Sequence, residues 1–419
     1  MKYYSCQTYY KCHFFGGVPM GLLYLGIVLL VIIGLLALRR PLYQAILGGL
    51  AVTALLWKIP PAAWLRQTAA VFYNWSSLSV LVSLYLITYL QRMLEARSQI
   101  RLAQQDLNGV FHNRRVNAVG APLFIGLLPS AAAMILCGDI VKEATDGYLK
   151  PNEQAFVTSW FRHIPESTLP TYAGVLLMAN LAGVPLGSFM IQMIVPMLVL
   201  GVLGYFPYLH RLPKDPGTPR SKNRGEDALH LLCHLWTLLA ILLLILVGKL
   251  SVVPAVAVVI VVAVFVYHFR PKELLPMLRS AFETKLLLNT FLVLVLKEFI
   301  AYTGVTGTLP DTLSALPIPA YLIFALLFFV GGIISGTNGI IALGTPLAFA
   351  AIQGGGTPLM VLLMCMCHAA SQISPTHICL VVASDYFHVT LGELIRKTLP
   401  VALLFCVLMI GYYRLLLLI

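Results

Sequence analysis

Long apolar stretches recur along most of the chain and indicate its structural class. Several are continuous over about twenty residues, the length that an α-helix needs to cross the hydrocarbon core of a bilayer. These stretches lie at residues 20–38, 41–57, 71–91, 188–208, 229–248, 252–269, 282–303 and 398–418. A backbone surrounded by lipid has to satisfy its own hydrogen bonds, so runs of this kind predict helices. The pattern therefore predicts an all-α integral membrane protein.

Two further regions are apolar but interrupted by Gly, Pro, Ser, Thr and Asn. The first spans about 104–185 and the second about 310–390. Each is long enough for a re-entrant helical hairpin followed by one broken crossing helix. We expect hairpins at about 104–147 and 310–352 and broken helices at about 152–185 and 357–390. Together with the continuous stretches, this gives about ten transmembrane helices plus two re-entrant hairpins.

Composition and charge support the membrane class. Hydrophobic residues make up 59% of the 419 residues and charged residues only 11%, which excludes an ordinary soluble protein. The formal charge of +12 comes from basic residues in short loops between the apolar runs. That distribution is typical of topology signals rather than of nucleic-acid binding, and it places the linker at 210–228 in the cytoplasm. Residues 1–19 are aromatic and polar and are treated as a leader of uncertain status.

An internal repeat relates the two interrupted regions. Shifting the sequence by 205 positions aligns residues at the breaks in the apolar pattern, including Ser130 with Ser335, His163 with His368 and Pro170 with Pro375. The repeats cover 20–209 and 229–419, and each has an odd number of crossings, so we expect them to be inverted in the membrane. Inverted repeats with discontinuous helices are typical of secondary transporters, whose site lies where the repeats meet.

The hairpin tips supply the first candidate ligand groups. They lie at 128–132 and 335–339, where Gly and Pro allow the chain to reverse at membrane depth. Exposed N–H groups at a new helix N-terminus favour an anion, and neutral oxygens suit a hard cation such as Na⁺. The candidates for both substrate binding and ion coupling at the tips are Ser130, Ser335, Thr337 and Asn338.

The broken helices supply the second set, because proline removes a backbone donor and frees carbonyl groups one turn earlier. The candidate substrate-binding residues there are His163, Ser167, Thr168, Thr171, Ser374, Thr376 and His377. Ionisable groups at membrane depth are functional candidates, and those assigned to ion coupling are Asp139, Glu166, His368 and Asp385. The spacing of Arg162 and Glu166 also fits a structural ion pair. We expect His163 and His368 to approach each other across the repeat axis, where histidine would make anion binding depend on pH.

The tips and breaks resemble those of the ion-transporter superfamily, which includes divalent-anion/sodium symporters, citrate and gluconate carriers and some sodium/proton antiporters. Within it, the runs at 128–134, 335–339 and 371–377 resemble an uncharacterised family of prokaryotic integral-membrane proteins. The resemblance covers about 20–419. It implies a homodimer in the cytoplasmic membrane of a prokaryote, with a scaffold part and a mobile part that carries both hairpins in an elevator-like motion.

These observations lead to a functional hypothesis. We expect a secondary active transporter of a small organic anion, specifically a carboxylate, driven by Na⁺ or H⁺, with no metal site and no cofactor beyond a bound Na⁺. The alternative within transport is a cation/proton antiporter that uses Asp139 or Asp385 as its carboxylate. An intramembrane enzyme is disfavoured, because no HExxH, paired-Asp or Gly-x-Ser-x-Gly element stands where catalysis would need it.

Overall fold

The computed structural model describes residues 14–15, 18–99, 102–103, 106, 110–111, 113–127, 133–215, 223–314 and 317–418. Apart from a short antiparallel pair formed by Phe14–Phe15 and Val18–Pro19, the elements in these ranges are helical. The predicted all-α class is confirmed.

The helices follow the chain in two halves. The first half contains α1 (Met20–Ala37), α2 (Leu42–Leu56), α3 (Pro61–Tyr73), α4 (Trp75–Ala96), α5 (Arg114–Ile125), α6 (Ala133–Thr145), α7 (Pro151–His163), α8 (Ala173–Ala182), α9 (Leu186–Gln192) and α10 (Ile194–Tyr205). The second half contains α11 (Arg224–Leu246), α12 (Val252–Val266), α13 (Pro271–Ala281), α14 (Thr284–Thr303), α15 (Leu309–Ser314), α16 (Ala320–Ser335), α17 (Thr337–Ala351), α18 (Gly356–Ser371), α19 (Ile378–Tyr386) and α20 (Leu391–Leu416). Single 3₁₀ turns occupy Pro165–Ser167, Leu209–Arg211 and Val305–Thr308.

Six helical segments in the described ranges are long and apolar enough to cross a membrane. They are α1, α4, α9 with α10, α11, α14 and α20. All six coincide with predicted apolar stretches, and α2 and α12 account for the other two stretches as shorter apolar helices. The chain therefore has the helices of a membrane-embedded protein, whereas the count of about ten crossings stays a prediction.

The structure differs from the predicted stretches in places that local chemistry explains. The stretch at 71–91 is divided at Asn74: residues 71–73 end α3, and α4 begins at Trp75, where the Asn74 side chain accepts a hydrogen bond from the Ser76 N–H and caps the helix. The separate α3 and α13 were not predicted, and each opens with a proline at its first position. The stretch at 188–208 is divided near Met193, where Pro196 cannot donate a backbone hydrogen bond to the preceding turn. Helix α11 starts at Arg224, inside the predicted linker 210–228.

The helices pack as two groups, which we call the outer group and the inner group. The outer group contains α1–α4 and α11–α14, and the inner group contains α5–α10 and α16–α20. Both groups mix the halves of the chain, because α2 packs on α14 and α8 packs on α17. Direct packing between the groups includes α1 with α16, α4 with α8 and α9 with α11.

The two halves repeat the same order of helices and many of the same contacts. At an offset near 205 residues, α5, α6, α7 and α8 correspond to α16, α17, α18 and α19. Corresponding pairs also touch: α2 packs on α14 as α12 packs on α4, and α8 packs on α17 as α19 packs on α6. The inverted orientation of the halves in the membrane stays a prediction.

Helices α7 and α18 lie at the centre of the inner group and are buried along most of their length. Trp160, one of the largest fully buried side chains, donates its indole N–H to the Leu200 carbonyl at 2.9 Å. A Cβ at Gly204 would lie 2.4 Å from the Trp160 ring, so only glycine fits there. This tight packing fixes the ends of α7 and α18, where the functional residues were predicted.

Candidate functional site

The first broken helix is interrupted between the end of α7 at His163 and the start of α8 at Ala173. Pro165 opens the 3₁₀ turn there, and its ring prevents the helix from continuing. Two side chains in the break hold the end of α5: the Tyr172 hydroxyl donates to the Gly126 carbonyl at 2.5 Å and Thr171 donates to the Leu127 carbonyl at 3.3 Å. The first break is therefore fixed to the first hairpin.

The second broken helix is interrupted between Ser371 and Ile378, around Pro375. The Ser374 hydroxyl donates to the Ile333 carbonyl near the end of α16 at 2.8 Å. The Ser374 and Thr376 hydroxyls also share a hydrogen bond of 2.8 Å. The second break is thus fixed to the second hairpin, as the first break is to the first.

The tip of the second hairpin is a single residue, Gly336, between α16 and α17. Its φ of 74° lies in the region that side chains disfavour, which explains why glycine stands there. The tip meets the first broken helix directly, since a Cβ built on Gly174 would lie 3.3 Å from the Asn338 amide oxygen. The start of α17 and the start of α8 are therefore neighbours although they come from different halves.

A cavity of about 680 Å³ lies where the second tip meets both broken helices. Its polar lining consists of Thr88, Gln91, Arg162, Glu166, Ser167, Thr171, Tyr172, Glu283, Lys285, Asn289, Ser335, Thr337, Asn338, His368, Ser371, Thr376, His377 and Cys379. Leu36 and Leu42 also line it, on either side of the connection that carries Arg39 and Arg40. The cavity thus reaches the end of the outer group where α1 connects to α2.

Three helix N-termini converge on this cavity. The first residues of α8, α17 and α19 all line it. None of these three helices has a side-chain hydrogen bond at its N-cap. The first N–H groups of a helix have no intrahelical acceptor, and the helix dipole adds a partial positive charge at that end. The convergence makes this part of the cavity suited to a negatively charged group.

The charged residues at the first break add to this field. Arg162 is 2% exposed and lies 3.5 Å from the Glu166 carboxylate, whose side chain is 30% exposed to the cavity. Glu166 also lies 3.7 Å from His163 Nε2. A guanidinium at a cavity wall can bind a carboxylate through two parallel hydrogen bonds. Asn289 adds a buried amide oxygen that has no hydrogen-bond partner among the described residues.

The two histidines of the breaks contact each other across the halves. His163 Nε2 lies 3.1 Å from His377 Nε2, and the rings meet edge to face. We expected His163 to approach His368, but the structure pairs it with His377. His368 instead lies 3.3 Å from the Gln372 amide nitrogen and packs against Trp160.

The structure brings most of the predicted site residues together and leaves others apart. Those that line the cavity are Glu166, Ser167, Thr171, Ser335, Thr337, Asn338, His368, Thr376 and His377. His163, Thr168 and Ser374 are buried at the breaks without lining it. Asp139 and Asp385 are exposed and lie outside the cavity, where Asp139 accepts a hydrogen bond from the Tyr386 hydroxyl. Ser130 lies outside the described residues.

Sequence reasoning missed several residues of the cavity. Arg162 was considered among the ionisable groups at the break, with a structural ion pair to Glu166 as the alternative, but it was not included among the site residues. Tyr172 and Cys379 stand at the starts of α8 and α19, which a search for helix starts after each proline would have found. Lys285 and Asn289 come from the outer group, and nothing in the repeat pattern relates them to the breaks.

Residues 25–416 match a family model described as a protein of unknown function, DUF401. The match covers most of the chain, so the protein belongs to that family. No curated protein matches the chain.

Proposed function

We propose that this protein is a secondary active transporter of a small organic anion, a carboxylate, coupled to Na⁺ or H⁺. The observation that carries the proposal is the convergence of three uncapped helix N-termini and the Arg162 guanidinium on one cavity formed by both halves. Discontinuous helices that direct their N-termini at an anionic substrate are a recurrent feature of secondary transporters. The cavity volume of about 680 Å³ is large enough for a small molecule.

The same cavity offers groups that suit either coupling ion. Ser335, Thr337 and Asn338 provide neutral oxygens at the second tip, which are ligands for Na⁺. Glu166 and His377 are groups that can exchange protons, and both line the cavity. The proposal therefore keeps Na⁺ and H⁺ as alternatives.

Alternating access is proposed to occur by sliding of the inner group along the outer group. The start of α14, from Glu283 to Asn289, lines the cavity, and the repeat offset relates it to residues 78–84 of α4. That part of α4 lines a second cavity of about 710 Å³, beside Lys249 at the opposite end of the outer group. A shift of the breaks from the α14 surface to the equivalent α4 surface would open the site to the other side. The homodimer implied by the superfamily resemblance belongs to this proposal.

The antiporter alternative is less well supported by the positions of its carboxylates. Asp139 and Asp385, which it would use, are exposed and lie outside the cavity. A carboxylate that carries protons or cations through a transporter is expected at the central site. Glu166 is such a carboxylate, but its neighbour Arg162 makes the local field favourable to anions.

A binding screen followed by uptake measurements tests the proposal. Purified protein is heated with mono-, di- and tricarboxylates, in Na⁺ or in choline and at acidic or neutral pH. A ligand that binds the native state raises Tm, and we expect at least one carboxylate to do so. The same carboxylate should accumulate in proteoliposomes under an inward Na⁺ or H⁺ gradient. Folded protein that shows neither a Tm shift nor uptake under any of these conditions would contradict the proposal.

Two matched glycine variants locate the binding event in the cavity. Gly174→Ala places a Cβ 3.3 Å from Asn338 and Ile341, so it displaces the start of α17 relative to α8 by a few tenths of an ångström. We expect carboxylate affinity to fall by about tenfold, since small misplacements of binding groups are costly. Gly201→Ala in α10 meets nothing within 4 Å and should leave affinity unchanged.

A further inference from the structure

Several side chains beside the cavity carry atoms that can bind a metal ion. One ring nitrogen each of His163 and His377 and the Cys379 sulfur lie within 4.8 Å of one another. The Glu166 carboxylate lies 3.7 Å from His163 Nε2 and is a fourth donor at the same place. We propose that His163, His377 and Cys379 form a binding site for a soft or borderline transition-metal ion of the Zn²⁺, Co²⁺ or Cu⁺ class.

The distances between the donors are close to those that such an ion requires. Two nitrogens bound to tetrahedral Zn²⁺ at about 2.0–2.1 Å lie about 3.3 Å apart. The two Nε2 atoms lie 3.1 Å apart. A sulfur bound to zinc at about 2.3 Å would lie about 3.6 Å from each of the two nitrogens. In the structure, the Cys379 sulfur lies within 4.8 Å of both nitrogens.

His163 is held in the form that binds metals. Its Nδ1 lies 2.6 Å from the Ser159 carbonyl, which can only accept, so Nδ1 carries the hydrogen. The Nε2 lone pair of the neutral ring therefore points towards His377. A carbonyl acceptor on the other ring nitrogen is the usual arrangement around histidines that ligate metals. Without a metal, His377 donates its Nε2 hydrogen to His163.

Metal binding needs only local proton movements. The His377 hydrogen moves from Nε2 to Nδ1, which frees the Nε2 lone pair, and the Cys379 thiol releases its proton to solvent as the sulfur binds. For a divalent ion, the thiolate and the Glu166 carboxylate balance the two positive charges, and Arg162 keeps its own charge. The three ligands leave one tetrahedral position, which Glu166, a water or an anion can fill.

The donors come from different parts of the chain and do not follow the repeat. His163 ends α7, whereas His377 and Cys379 lie at the start of α19. At the offset of 205 residues, Tyr172 and Gly174 occupy the positions equivalent to His377 and Cys379. The proposed site therefore belongs to one side of the cavity only, and it departs from our expectation that the chain has no metal site.

Cobalt titration of untagged protein, stripped with a chelator and purified in detergent, tests the proposal. We expect one Co²⁺ per chain, visible tetrahedral d–d bands and a near-ultraviolet sulfur-to-metal charge-transfer band. Cys379→Ser should abolish the charge-transfer band, and His377→Gln should weaken Co²⁺ and Zn²⁺ binding by more than about tenfold. Size-exclusion profiles and Tm establish that each variant is folded.

Two control variants separate this site from other donors. Cys367→Ser removes a buried thiol outside the cluster, and His230→Gln removes an exposed imidazole on α11, beside His234, which pairs with Asp106. Both should keep the wild-type spectrum and stoichiometry. The proposal is overturned if wild-type protein holds no Co²⁺ after desalting, or if His230→Gln abolishes binding while Cys379→Ser keeps the charge-transfer band. No anion is present, so failure here is distinguishable from failure of the transport proposal.

Discussion

The outer and inner groups place their polar residues in different ways. In the outer group the ion pairs lie near helix ends, as in the contacts of Arg92 with Glu283 at 2.8 Å and of Arg97 with Glu273 at 3.1 Å, and all four side chains are about a third exposed or more. In the inner group Arg162 and His163 are almost fully buried beside a helix break. A buried charge in a membrane protein is expensive and is retained where it faces a partner or a cavity. The difference is consistent with the proposed mechanism, in which the outer group holds the structure in the membrane and the inner group carries most of the binding site.

The contacts between the groups are fewer than those within them. Within each group, helices of one half pack on helices of the other, as α2 does on α14 and α8 on α17. Between the groups, α4 meets α8, where the Asn180 amide donates to the Ser76 carbonyl at 2.5 Å. Such an arrangement favours each group moving as a unit, which is what the proposed mechanism requires.

The largest expected effect comes from joining the two groups covalently. Ser76→Cys and Asn180→Cys place thiols on neighbouring parts of α4 and α8, which a short reducible cross-linker can connect. We expect cross-linking to abolish carboxylate uptake in proteoliposomes and a reductant to restore it, because the inner group can no longer slide. Uptake that continues in fully cross-linked protein would contradict the elevator proposal.

A matched cross-link inside the outer group is the control for this experiment. Arg97→Cys and Glu273→Cys replace an ion pair that joins two outer-group segments and does not line the cavity. Cross-linking this pair should leave uptake at the level of the untreated double variant. Equal inhibition by both cross-links would mean that the two groups do not move relative to each other.

The second expected effect concerns the half-buried ion pair of Arg162 and Glu166. Arg162→Ala removes an almost fully buried side chain and leaves the Glu166 carboxylate, which is 30% exposed, without its guanidinium, so it should lower the free energy of unfolding by about 2 kcal/mol. Arg97→Ala in the outer group should lower it by less, because the Arg97–Glu273 pair is largely exposed to solvent. Unfolding in mixed micelles with increasing SDS measures both.

A double variant identifies the cause of the larger loss. If the unpaired carboxylate is responsible, Arg162→Ala with Glu166→Ala should be more stable than Arg162→Ala alone. The carboxylate-induced rise in Tm should be absent in both, since Arg162 is proposed to bind the anion. Equal destabilisation by Arg162→Ala and Arg97→Ala would remove the distinction between the groups.

The sequence was sufficient for the long apolar helices and for much of the cavity lining, but not for the separate helices α3 and α13. Apolar periodicity located the spans, and proline and glycine located both breaks and the second tip at Gly336, because these residues act through the local backbone. The sequence did not predict those parts of the site that are determined by contacts between distant segments of the chain. Nothing along the chain indicates that His163 meets His377 rather than His368, or that Asn289 of the outer group faces the breaks. The histidine pairing depends on how α7 and α19 pack within the inner group, and the position of Asn289 depends on how the outer group is placed against the inner group.

The smallest expected effect is a pH dependence at the edge of the outer group. The Arg97 guanidinium, followed by the backbone N–H of Arg270, holds the pKa of Glu273 below its ordinary value. A carboxyl with a lowered pKa in the folded state contributes stability above the ordinary Glu pKa of about 4.3 and loses that contribution as the pH falls through the folded-state pKa.

Glu273→Gln should therefore lower Tm by only about 1 °C at neutral pH, since the pair is exposed, and the difference from wild type should vanish in acid. High salt should reduce the same difference at neutral pH, because exposed charges are screened. Glu143→Gln, at an exposed carboxylate of α6, serves as the control and should change Tm at neutral pH by less than Glu273→Gln does. A Glu273 effect as large and as insensitive to salt as that of Arg162→Ala would mean that the outer pairs are also buried in the membrane protein, and the contrast between the two groups would no longer hold.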